Sequence, residues 1–264
     1  MKILNADIDF DDFFHRLAGS SSRVLMLDYD GTLAPFRAER DEAVPYPGIR
    51  TALEAIQESG ACRLVIVSGR AIEDLIPLLG LKAVPEIWGC HGWERRLADG
   101  SRVAPDLSGQ ALQGLQEAGR WAEGAGLAGH LEQKPASMAI HWRGLDEGEI
   151  ADIKERASEG WGRIADESGL SLHGFNGGLE IRVPGRDKGV AVETILAESG
   201  SGAVAAYLGD DLTDEDAFSA LKGKGLGVFV GTEQRGTAAD LWIRPPEELI
   251  EFLSRWTEAL GGKG

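Results

Sequence analysis

The sequence predicts an α/β protein with a doubly wound, Rossmann-like parallel sheet that is interrupted by an inserted α+β domain. Apolar runs at residues 24–27 and 64–67 lack polar alternation, which is typical of parallel strands buried on both faces. Helical patterns alternate with such runs towards both ends of the chain, whereas residues 106–183 follow an α-β-β-α-β-β order. We therefore expect a discontinuous core of residues 1–105 and 184–264 around an insert at residues 106–183.

The first part of the predicted core has a β-α-β-α-β order. Pro47 opens one helical segment, and Gly60 and Gly80 follow the ends of two helical segments, as is usual for proline and glycine at helix termini. This order favours parallel strands connected by helices. The predicted elements are strand 24–27, a helix from Pro47 to Gly60, strand 64–67, helix 71–79 and strand 86–90.

Two helices and four strands are predicted for the insert. The alternation in Leu179-Glu180-Ile181-Arg182-Val183 gives the last of these strands one apolar and one polar face. The elements are helix 108–126, strands 131–134 and 138–143, a helix capped by Asp146 that ends near Ser168, and strands 170–173 and 179–183. After a hinge at Pro184-Gly185, the core continues with helix 188–198, strand 204–208, helix 214–221, strand 226–230 and a helix from Pro246.

Composition and charge limit the partners of the chain. Hydrophobic residues make up 43% and charged residues 27% of 264 residues, as in ordinary soluble enzymes. The formal net charge of -16 argues against nucleic acid and anionic membranes as partners. The N-terminus lacks a signal-peptide pattern, and no apolar stretch approaches the roughly 20 residues of a membrane span. We expect a soluble, cytoplasmic monomer in which Cys62 and Cys90 are reduced thiols.

The strongest candidate site follows the first apolar run, in the string Asp28-Tyr29-Asp30-Gly31-Thr32. Two carboxylates two residues apart at a strand end converge when the backbone turns, and Gly31 permits such a turn. One carboxylate can attack phosphorus, and the other can protonate the leaving alcohol and then activate water. An Asx turn is the structural alternative for an isolated aspartate pair, but the full string after an apolar run favours catalysis.

Ser68 and Lys188 are candidate phosphate ligands at two later positions. In Val67-Ser68-Gly69-Arg70, a hydroxyl and a backbone N–H after the second strand can hold a phosphoryl oxygen, although serine is also a common helix cap. Lys188 opens a predicted helix and can neutralise charge on a transferring phosphoryl group. A lone lysine is more often a solvated surface residue, so Lys188 counts only together with the other features.

An acidic run follows predicted strand 204–208, with five acids in the seven residues 210–216. Such acids repel one another unless a cation binds or solvent screens them. Magnesium prefers a few carboxylates with substrate phosphate and water, so Asp210 and Asp28 fit a Mg²⁺ site. An EF-hand is excluded because the required loop glycine and terminal glutamate are absent. Helix capping near Thr213 explains part of the run, but we do not expect it to explain Asp210 or Asp211.

The four features, in this order, resemble the haloacid dehalogenase superfamily of phosphohydrolases. The resemblance implies that Asp28 is the nucleophile and a magnesium ligand. It also implies that Asp30 is the general acid/base and binds the metal through its carbonyl. The other implied roles are phosphoryl binding by Ser68 and Lys188, magnesium binding by Asp210, and support of the metal shell by Asp211 and Asp214. An insert between Ser68 and Lys188 resembles a cap that recognises the leaving alcohol.

Polar residues of the insert are candidates for recognising that alcohol. Acids and a lysine on one strand face suit bidentate bonding to vicinal sugar hydroxyls. An equal alternative is that Lys134, which precedes Pro135, lies at a strand end in a solvated ion pair. The candidates are Glu132, Lys134 and Ser137 in an E-x-K-x-x-S run, His141 and Arg143 on the next strand, Glu180 and Arg182 on the last strand, and His91-Gly92 and Glu94 after the third core strand.

Over residues 20–250 these elements resemble the trehalose-6-phosphate phosphatase family. The resemblance rests on residues 67–70, His91-Gly92-x-Glu94, the E-x-K-x-x-S run with His141-x-Arg143, Glu180-Ile181-Arg182 and the string from Gly209 to Glu215. It implies magnesium-dependent hydrolysis of a sugar phosphate, trehalose 6-phosphate, through an aspartyl-phosphate. The residues that it implies for substrate binding are Gly69, Arg70, His91, Glu132, Lys134, Ser137 and Glu180. Residues 183–187 and Trp142, in place of the usual tyrosine, depart from the family pattern.

Three alternatives remain open at the sequence level. The same chemistry could act on another sugar phosphate, such as glucosylglycerol phosphate or mannosylglycerate phosphate. A phosphomutase would use the same site while keeping water out. A non-catalytic domain that senses sugar phosphates belongs to another class, and the intact Asp28, Asp30, Lys188 and Asp210 argue against it.

Overall fold

The computed structural model describes residues 1–37, 39–175 and 177–261. The chain forms two compact units, which are the core unit (residues 1–103 and 187–264) and the inserted unit (residues 104–186). These boundaries lie within three residues of those expected from the sequence.

The elements follow the predicted α/β order. Before the insertion the core unit contains β1 (Lys2–Ile3), α1 (Phe10–Gly19), β2 (Arg23–Leu27), α2 (Ile49–Glu58), β3 (Arg63–Val67), α3 (Ile72–Leu79), β4 (Glu86–Gly89), β5 (Glu94–Arg96) and β6 (Arg102–Val103). The inserted unit contains α4 (Gly109–Gly124), β7 (Leu131–Lys134), β8 (Ser137–His141), α5 (Glu147–Ser168), β9 (Ser171–Phe175) and β10 (Gly178–Arg182). The core unit ends with α6 (Lys188–Ser199), β11 (Val204–Gly209), α7 (Glu215–Leu221), β12 (Leu226–Val230), β13 (Leu241–Ile243) and α8 (Glu247–Ala259).

The core sheet has the strand order β1-β13-β12-β11-β2-β3-β4-β5-β6. The strands from β13 to β4 are parallel, whereas β1, β5 and β6 pair antiparallel at the edges. The chain extends to one side of β2 through β3 and β4, and to the other side through β11 and β12. This confirms the doubly wound fold and places its topological switch point between β2 and β11.

The apolar runs form strands because both faces of the core sheet are covered. Leu25 and Leu27 pack into one apolar cluster that includes residues of α2 and α8, and Val24 and Met26 pack into another with residues of α6 and α7. A run without polar alternation is stable only where neither face meets water. The predicted elements that depended on such runs are therefore found where they were expected.

The inserted unit has its own sheet and its own apolar cluster. Its antiparallel strands have the order β7-β8-β10-β9, and residues of α4 and α5 share one apolar cluster with Met138, Ile140 and Ile181. The α5 helix begins with a capping box between Asp146 and Glu149, as the predicted helix start requires.

The structure adds elements that the sequence patterns did not predict, namely α1, β1, β5, β6 and β13. The four strands have only two or three residues each, too few for a recognisable run. The α1 helix has an N-cap at Asp9 and buries Phe13, Phe14 and Leu17. Over the described residues, no helix combines the length and apolarity that crossing a membrane requires.

Candidate active site

The candidate site lies at the carboxyl ends of β2 and β11, where the strand order of the core sheet reverses. Asp28 follows β2 and Asp210 follows β11, and the two strands pair in parallel. The Asp28 N–H donates to the Leu208 carbonyl at 2.8 Å, so the hydrogen-bond ladder between β2 and β11 continues as far as Asp28. Open α/β sheets bind their ligands at this point, which is why the two aspartates meet.

Gly31 makes room for the Asp210 carboxylate. Its φ of +84° is left-handed, and a Cβ at this position would lie 2.1 Å from Asp210 Oδ2. Glycine is therefore required for the backbone conformation and for the close approach of the two loops. Thr32 Oγ1 lies 3.3 Å from Asp28 Oδ2 and 3.5 Å from Asp210 Oδ1, between the two carboxylates.

Lys188 is buried between two carboxylates. Its Nζ donates to Asp28 Oδ1 and to Asp214 Oδ1, both at 2.7 Å, and the residue is 3% exposed. Burial alone would lower the pKa of Lys188, but the Asp214 and Asp28 carboxylates outweigh burial and raise it. Lys188 is therefore a fixed cation at the candidate nucleophile, and the alternative of a solvated surface lysine is wrong.

Asp214 is surrounded by hydrogen-bond donors. Oδ1 accepts from Lys188 Nζ and from the Tyr207 hydroxyl, and Oδ2 accepts from the backbone N–H groups of Asp210 and Asp211. A carboxylate has about four lone-pair positions, and these four donors occupy them. Asp214 thus holds both Lys188 and the acidic loop in position.

Asp28, Asp210 and Asp214 form a group that could hold a metal ion, because each offers an oxygen and these oxygens lie within 4.8 Å of one another. Burial, together with repulsion from Asp214 and Asp30, raises the pKa of Asp28 to about 7, although Lys188 opposes the shift. Burial and the Asp28 and Asp214 carboxylates raise the pKa of Asp210 well above its usual range. Such an oxygen-only cluster suits a hard divalent cation that relieves the repulsion.

Asp211 has a different environment from that expected. Its carboxylate accepts from the Leu212 N–H at 2.7 Å and caps the short turn Leu212–Asp214 in a capping box with Asp214. Among the described residues, the three-aspartate group does not include it. Helix capping therefore does account for Asp211, and our expectation that it would not was wrong.

Arg70 pairs with Asp30 through a bidentate contact. Nε donates to Asp30 Oδ2 and Nη2 to Asp30 Oδ1, both at 2.7 Å, and Nη2 also donates to the Arg40 carbonyl at 2.9 Å. Arg70 is 2% exposed, whereas the Asp30 side chain is 26% exposed. The structure places the Arg70 guanidinium on the candidate general acid/base, and the sugar contact that the resemblance implied for Arg70 stays a prediction.

Ser68, Gly69 and His91 meet beside this pair. Ser68 is fully buried, and its Oγ accepts from the Arg70 N–H at 3.2 Å. His91 adopts a left-handed φ of 54°, and its N–H donates to the Ser68 carbonyl at 2.9 Å. A Cβ at Gly69 would lie 2.6 Å from two ring atoms of His91, so glycine admits the imidazole. The predicted residues 68–70 and 91 therefore form one packed group.

Glu94 has a structural role. Its Oε1 accepts from the Ile72 N–H at 2.8 Å, at the start of α3, and from Cys90 Sγ at 3.5 Å. This contact gives a first-turn N–H of α3 an acceptor, and the expected position of Glu94 at a binding cleft stays a prediction. Cys62 and Cys90 are both free thiols, as expected.

The polar residues of the inserted unit lie on one face of its sheet. Glu132 on β7 and Glu180 on β10 both pair with Ala139 on β8. Glu180 Oε1 accepts from Lys134 Nζ at 2.9 Å and from Ser137 Oγ at 2.8 Å, and Glu132 Oε2 lies 2.7 Å from His141 Nε2. Lys134 and Glu180 are 9% and 2% exposed, so the alternative of a solvated ion pair is wrong.

Two further residues stabilise the acidic loop, and sequence patterns did not identify either. The Tyr207 hydroxyl donates to Asp214 from within β11. In the sequence, an aromatic residue inside an apolar strand is indistinguishable from an ordinary core residue. Arg235 donates to the carbonyls of Asp210 and Asp211 from a loop 24 residues further along the chain. Neither residue belongs to a local motif, so only the folded chain brings them to the site.

Solved phosphatases share the fold of this chain. A solved phosphatase of the haloalkanoate (HAD) superfamily from Bacteroides thetaiotaomicron aligns over 89% of this chain and 95% of its own, with a TM-score of 0.59 and 18% identity. The C-terminal domain of Candida albicans trehalose-6-phosphate phosphatase covers 98% of this chain and 99% of its own, with a TM-score of 0.79 and 20% identity. These two structural similarities establish the fold of the chain.

The sequence model of the trehalose-phosphatase family matches residues 26–241. A trehalose-phosphate phosphatase of Mycobacterium avium is 31% identical over 261 residues and covers 92% of this chain. This chain spans 64% of that relative's length. The chain therefore belongs to the trehalose-phosphatase family, and the resemblance inferred from its motifs is confirmed.

Proposed function

We propose that the protein hydrolyses trehalose 6-phosphate to trehalose and phosphate through a phosphorylated Asp28. The observation that carries the phosphatase chemistry is the buried Lys188, whose Nζ contacts both Asp28 and Asp214 at 2.7 Å. A carboxylate next to a fixed cation and two further acids is suited to receive a phosphoryl group. Family membership supports trehalose 6-phosphate as the substrate.

We assign a magnesium ion to Asp28 and Asp210, with the Asp30 carbonyl as the ligand implied by the family pattern. Asp214 already accepts four hydrogen bonds, so we give it the role of holding the loop, and Asp211 supports the same loop through its cap. When bound, the ion would supply positive charge to the phosphoryl oxygens and to the crowded carboxylates.

The first half-reaction transfers the phosphoryl group to the protein. An Asp28 carboxylate oxygen bonds to phosphorus, the bond from phosphorus to the sugar oxygen breaks, and that oxygen takes a proton from Asp30. Lys188 keeps Asp28 in place, and its charge is complementary to the charge on the phosphoryl oxygens. Ser68 and the Gly69 backbone bind one of those oxygens.

The second half-reaction releases phosphate. A water oxygen bonds to phosphorus, its proton passes to the Asp30 carboxylate, and the bond from phosphorus to Asp28 breaks. The Asp28 carboxylate is thereby regenerated, and the proton on Asp30 is available to the next leaving group.

The polar face of the inserted unit is our candidate for disaccharide recognition. Glu132 and Glu180 are two strands apart, which corresponds to about 10 Å, and the small Ala139 lies between them. Lys134 Nζ lies between the two carboxylates, 3.8 Å from Glu132 Oε2 and 2.9 Å from Glu180 Oε1. This polar face can therefore offer two carboxylates and one ammonium to vicinal sugar hydroxyls, and Lys134 and Ser137 orient Glu180. His141 is assigned to orient Glu132, and His91 to bind substrate in the core unit.

Phosphate release from a panel of sugar phosphates with Mg²⁺ tests the proposal. We expect turnover of trehalose 6-phosphate well above that of glucosylglycerol phosphate and mannosylglycerate phosphate, and loss of turnover in Asp28→Asn. Preference for another sugar phosphate would overturn the substrate assignment alone. Binding of trehalose 6-phosphate without any turnover would instead indicate a sensor.

A further inference from the structure

We infer that Arg235 is a positioning residue for Asp210, and that by fixing the backbone at Asp210 it raises the affinity of the site for Mg²⁺. This inference rests on the proposed function, because it needs the magnesium ion that we assign to Asp28 and Asp210. Arg235 lies in the loop between β12 and β13. Its Nη2 donates to the Asp211 carbonyl at 2.9 Å and to the Asp210 carbonyl at 3.3 Å.

The peptide group between Asp210 and Asp211 is held at both ends. Its N–H donates to Asp214 Oδ2 at 2.9 Å, and its carbonyl accepts from Arg235 Nη2. The N–H and the carbonyl of a trans peptide group point in opposite directions, so the two contacts together fix the orientation of its plane. The preceding peptide group is fixed by the Asp210 N–H, which donates to the same Asp214 oxygen at 3.0 Å. Because both flanking peptide groups are fixed, the Cα–Cβ bond of Asp210 has one direction.

Arg235 is in turn anchored by contacts outside the Asp210–Asp211 segment. Its Nη1 donates to Glu215 Oε1 and, at 2.9 Å, to the Gly236 carbonyl. Its guanidinium lies 4.6 Å from the centre of the Phe229 ring in β12. The second oxygen of Glu215 accepts from the Ala238 N–H at 2.8 Å, so Glu215 attaches the loop that carries Arg235 to the first turn of α7. An anchored arginine of this kind can hold a metal ligand in its binding geometry before the ion arrives.

The charge of Arg235 predicts the opposite effect on Mg²⁺ binding. A guanidinium near a cation site repels the cation, and removing Arg235 would leave its partner Glu215 as an additional unpaired carboxylate. Through charge alone, the loss of Arg235 would therefore tighten Mg²⁺ binding. Loss of positioning would weaken Mg²⁺ binding, because the ion would then have to order the Asp210 backbone as it binds. The direction of the change in Mg²⁺ affinity separates the two roles.

Thermal melting of the full chain over a series of Mg²⁺ concentrations, at constant ionic strength and without substrate, measures the Mg²⁺ Kd. In Arg235→Met we expect this Kd to rise roughly 10-fold, as is usual when a residue that supports a metal ligand is removed. Arg235→Lys should give a smaller rise, because lysine keeps the charge but lacks the planar fork. Arg244→Met is the matched control, since Arg244 stacks on the Trp242 ring at 4.9 Å as Arg235 stacks on Phe229. This control should not weaken Mg²⁺ binding.

Turnover of trehalose 6-phosphate provides a second readout. In Arg235→Met the Mg²⁺ concentration for half-maximal turnover should rise roughly 10-fold, with a several-fold smaller change in the rate at saturating Mg²⁺. An unchanged or lower Mg²⁺ Kd, or a larger fall in the saturated rate than in Mg²⁺ affinity, would overturn the inference. Melting without Mg²⁺ checks the fold of each variant, and Arg235→Lys remains informative if Arg235→Met unfolds.

The wild-type chain separates this inference from the proposed function. If it binds Mg²⁺ but does not turn over trehalose 6-phosphate, the substrate assignment fails, and the Mg²⁺ Kd values of the variants still decide the role of Arg235. If it does not bind Mg²⁺, both the magnesium assignment and the role of Arg235 are overturned.

Discussion

At the scale of single residues, the site depends on carboxylates that crowd one another. Asp28 is buried and Asp210 is half-buried in a cluster with Asp214, and Lys188 pairs with Asp28 and Asp214. Burial and mutual repulsion raise the pKa of both residues. A divalent cation would relieve this repulsion, so its binding should stabilise the folded chain.

Neighbouring aspartates offer a matched test of the metal assignment. Adding Mg²⁺ at about 100 times its Kd should stabilise the wild-type chain by about 2.7 kcal/mol, which raises Tm by roughly 5 to 10 °C. We expect Asp210→Asn to lose this Mg²⁺-induced shift in thermal melting. Asp211→Asn should keep it, because the Asp211 carboxylate caps the turn Leu212–Asp214. Equal loss in both variants would place the ion elsewhere.

At the scale of secondary-structure elements, an ion-pair network connects β3, β4, β5 and α6. Glu86 accepts from Arg63 and Arg95 and from the Trp88 indole, and it is 6% exposed. Glu198 on α6 accepts from the same two arginines at 2.6 to 2.7 Å, but its side chain is 41% exposed. The network fastens the helix that starts at Lys188 to the edge of the core sheet.

The two glutamates of this network should differ in their effect on stability. Glu86→Gln leaves two partly buried arginines without their common carboxylate and should cost about 3 kcal/mol in urea unfolding at pH 7. Glu198→Gln should cost about 1 kcal/mol or less, because solvent screens an exposed pair. Equal costs would mean that burial does not decide the strength of these contacts.

The Glu198 contribution should also depend on pH. Hydrogen bonds from Arg95, and then from Arg63, lower the pKa of Glu198 to about 2 from an ordinary value near 4.5. A lowered folded-state pKa stabilises the fold above the unfolded value and loses this effect as pH falls through the folded value. The stability difference between wild type and Glu198→Gln should therefore shrink between pH 4.5 and pH 2. A difference that is constant over this range would contradict the assignment.

At the scale of the whole molecule, the sequence predicts those strands and site residues that belong to a local sequence pattern. Uniform apolar runs predict the central strands. Asp28, Ser68 and Asp210 follow such strands and predict the site, because parallel strands bring their carboxyl ends together, and Lys188 at the start of α6 adds to this pattern. The Arg70–Asp30 pair, Tyr207 and Arg235 could not be predicted, since their contacts join residues 7 to 40 positions apart without a local motif. Short edge strands are missed because β1 or β6, with two residues, carries no periodicity.

The division into two compact units predicts separable responses to mutation. Trp161 and Trp256 are both fully buried, the first in the inserted unit and the second in the core unit. Replacing either tryptophan with alanine should cost about 3 to 5 kcal/mol within its own apolar cluster. By hydrogen exchange, we expect Trp161→Ala to speed exchange in residues 104–186 and Trp256→Ala in the core unit. Acceleration of both units by both variants would show that they unfold as one.

The covalent role of Asp28 is the central claim, and direct trapping of the phosphoenzyme tests it. The wild-type chain is mixed with labelled trehalose 6-phosphate and Mg²⁺, quenched in acid during turnover, digested and mapped by mass spectrometry. We predict a phosphoryl group on the Asp28 carboxylate that hydroxylamine removes, and no such label in Asp28→Asn. Turnover with the phosphoryl group on another residue, or undiminished turnover in Asp28→Asn, would contradict the account.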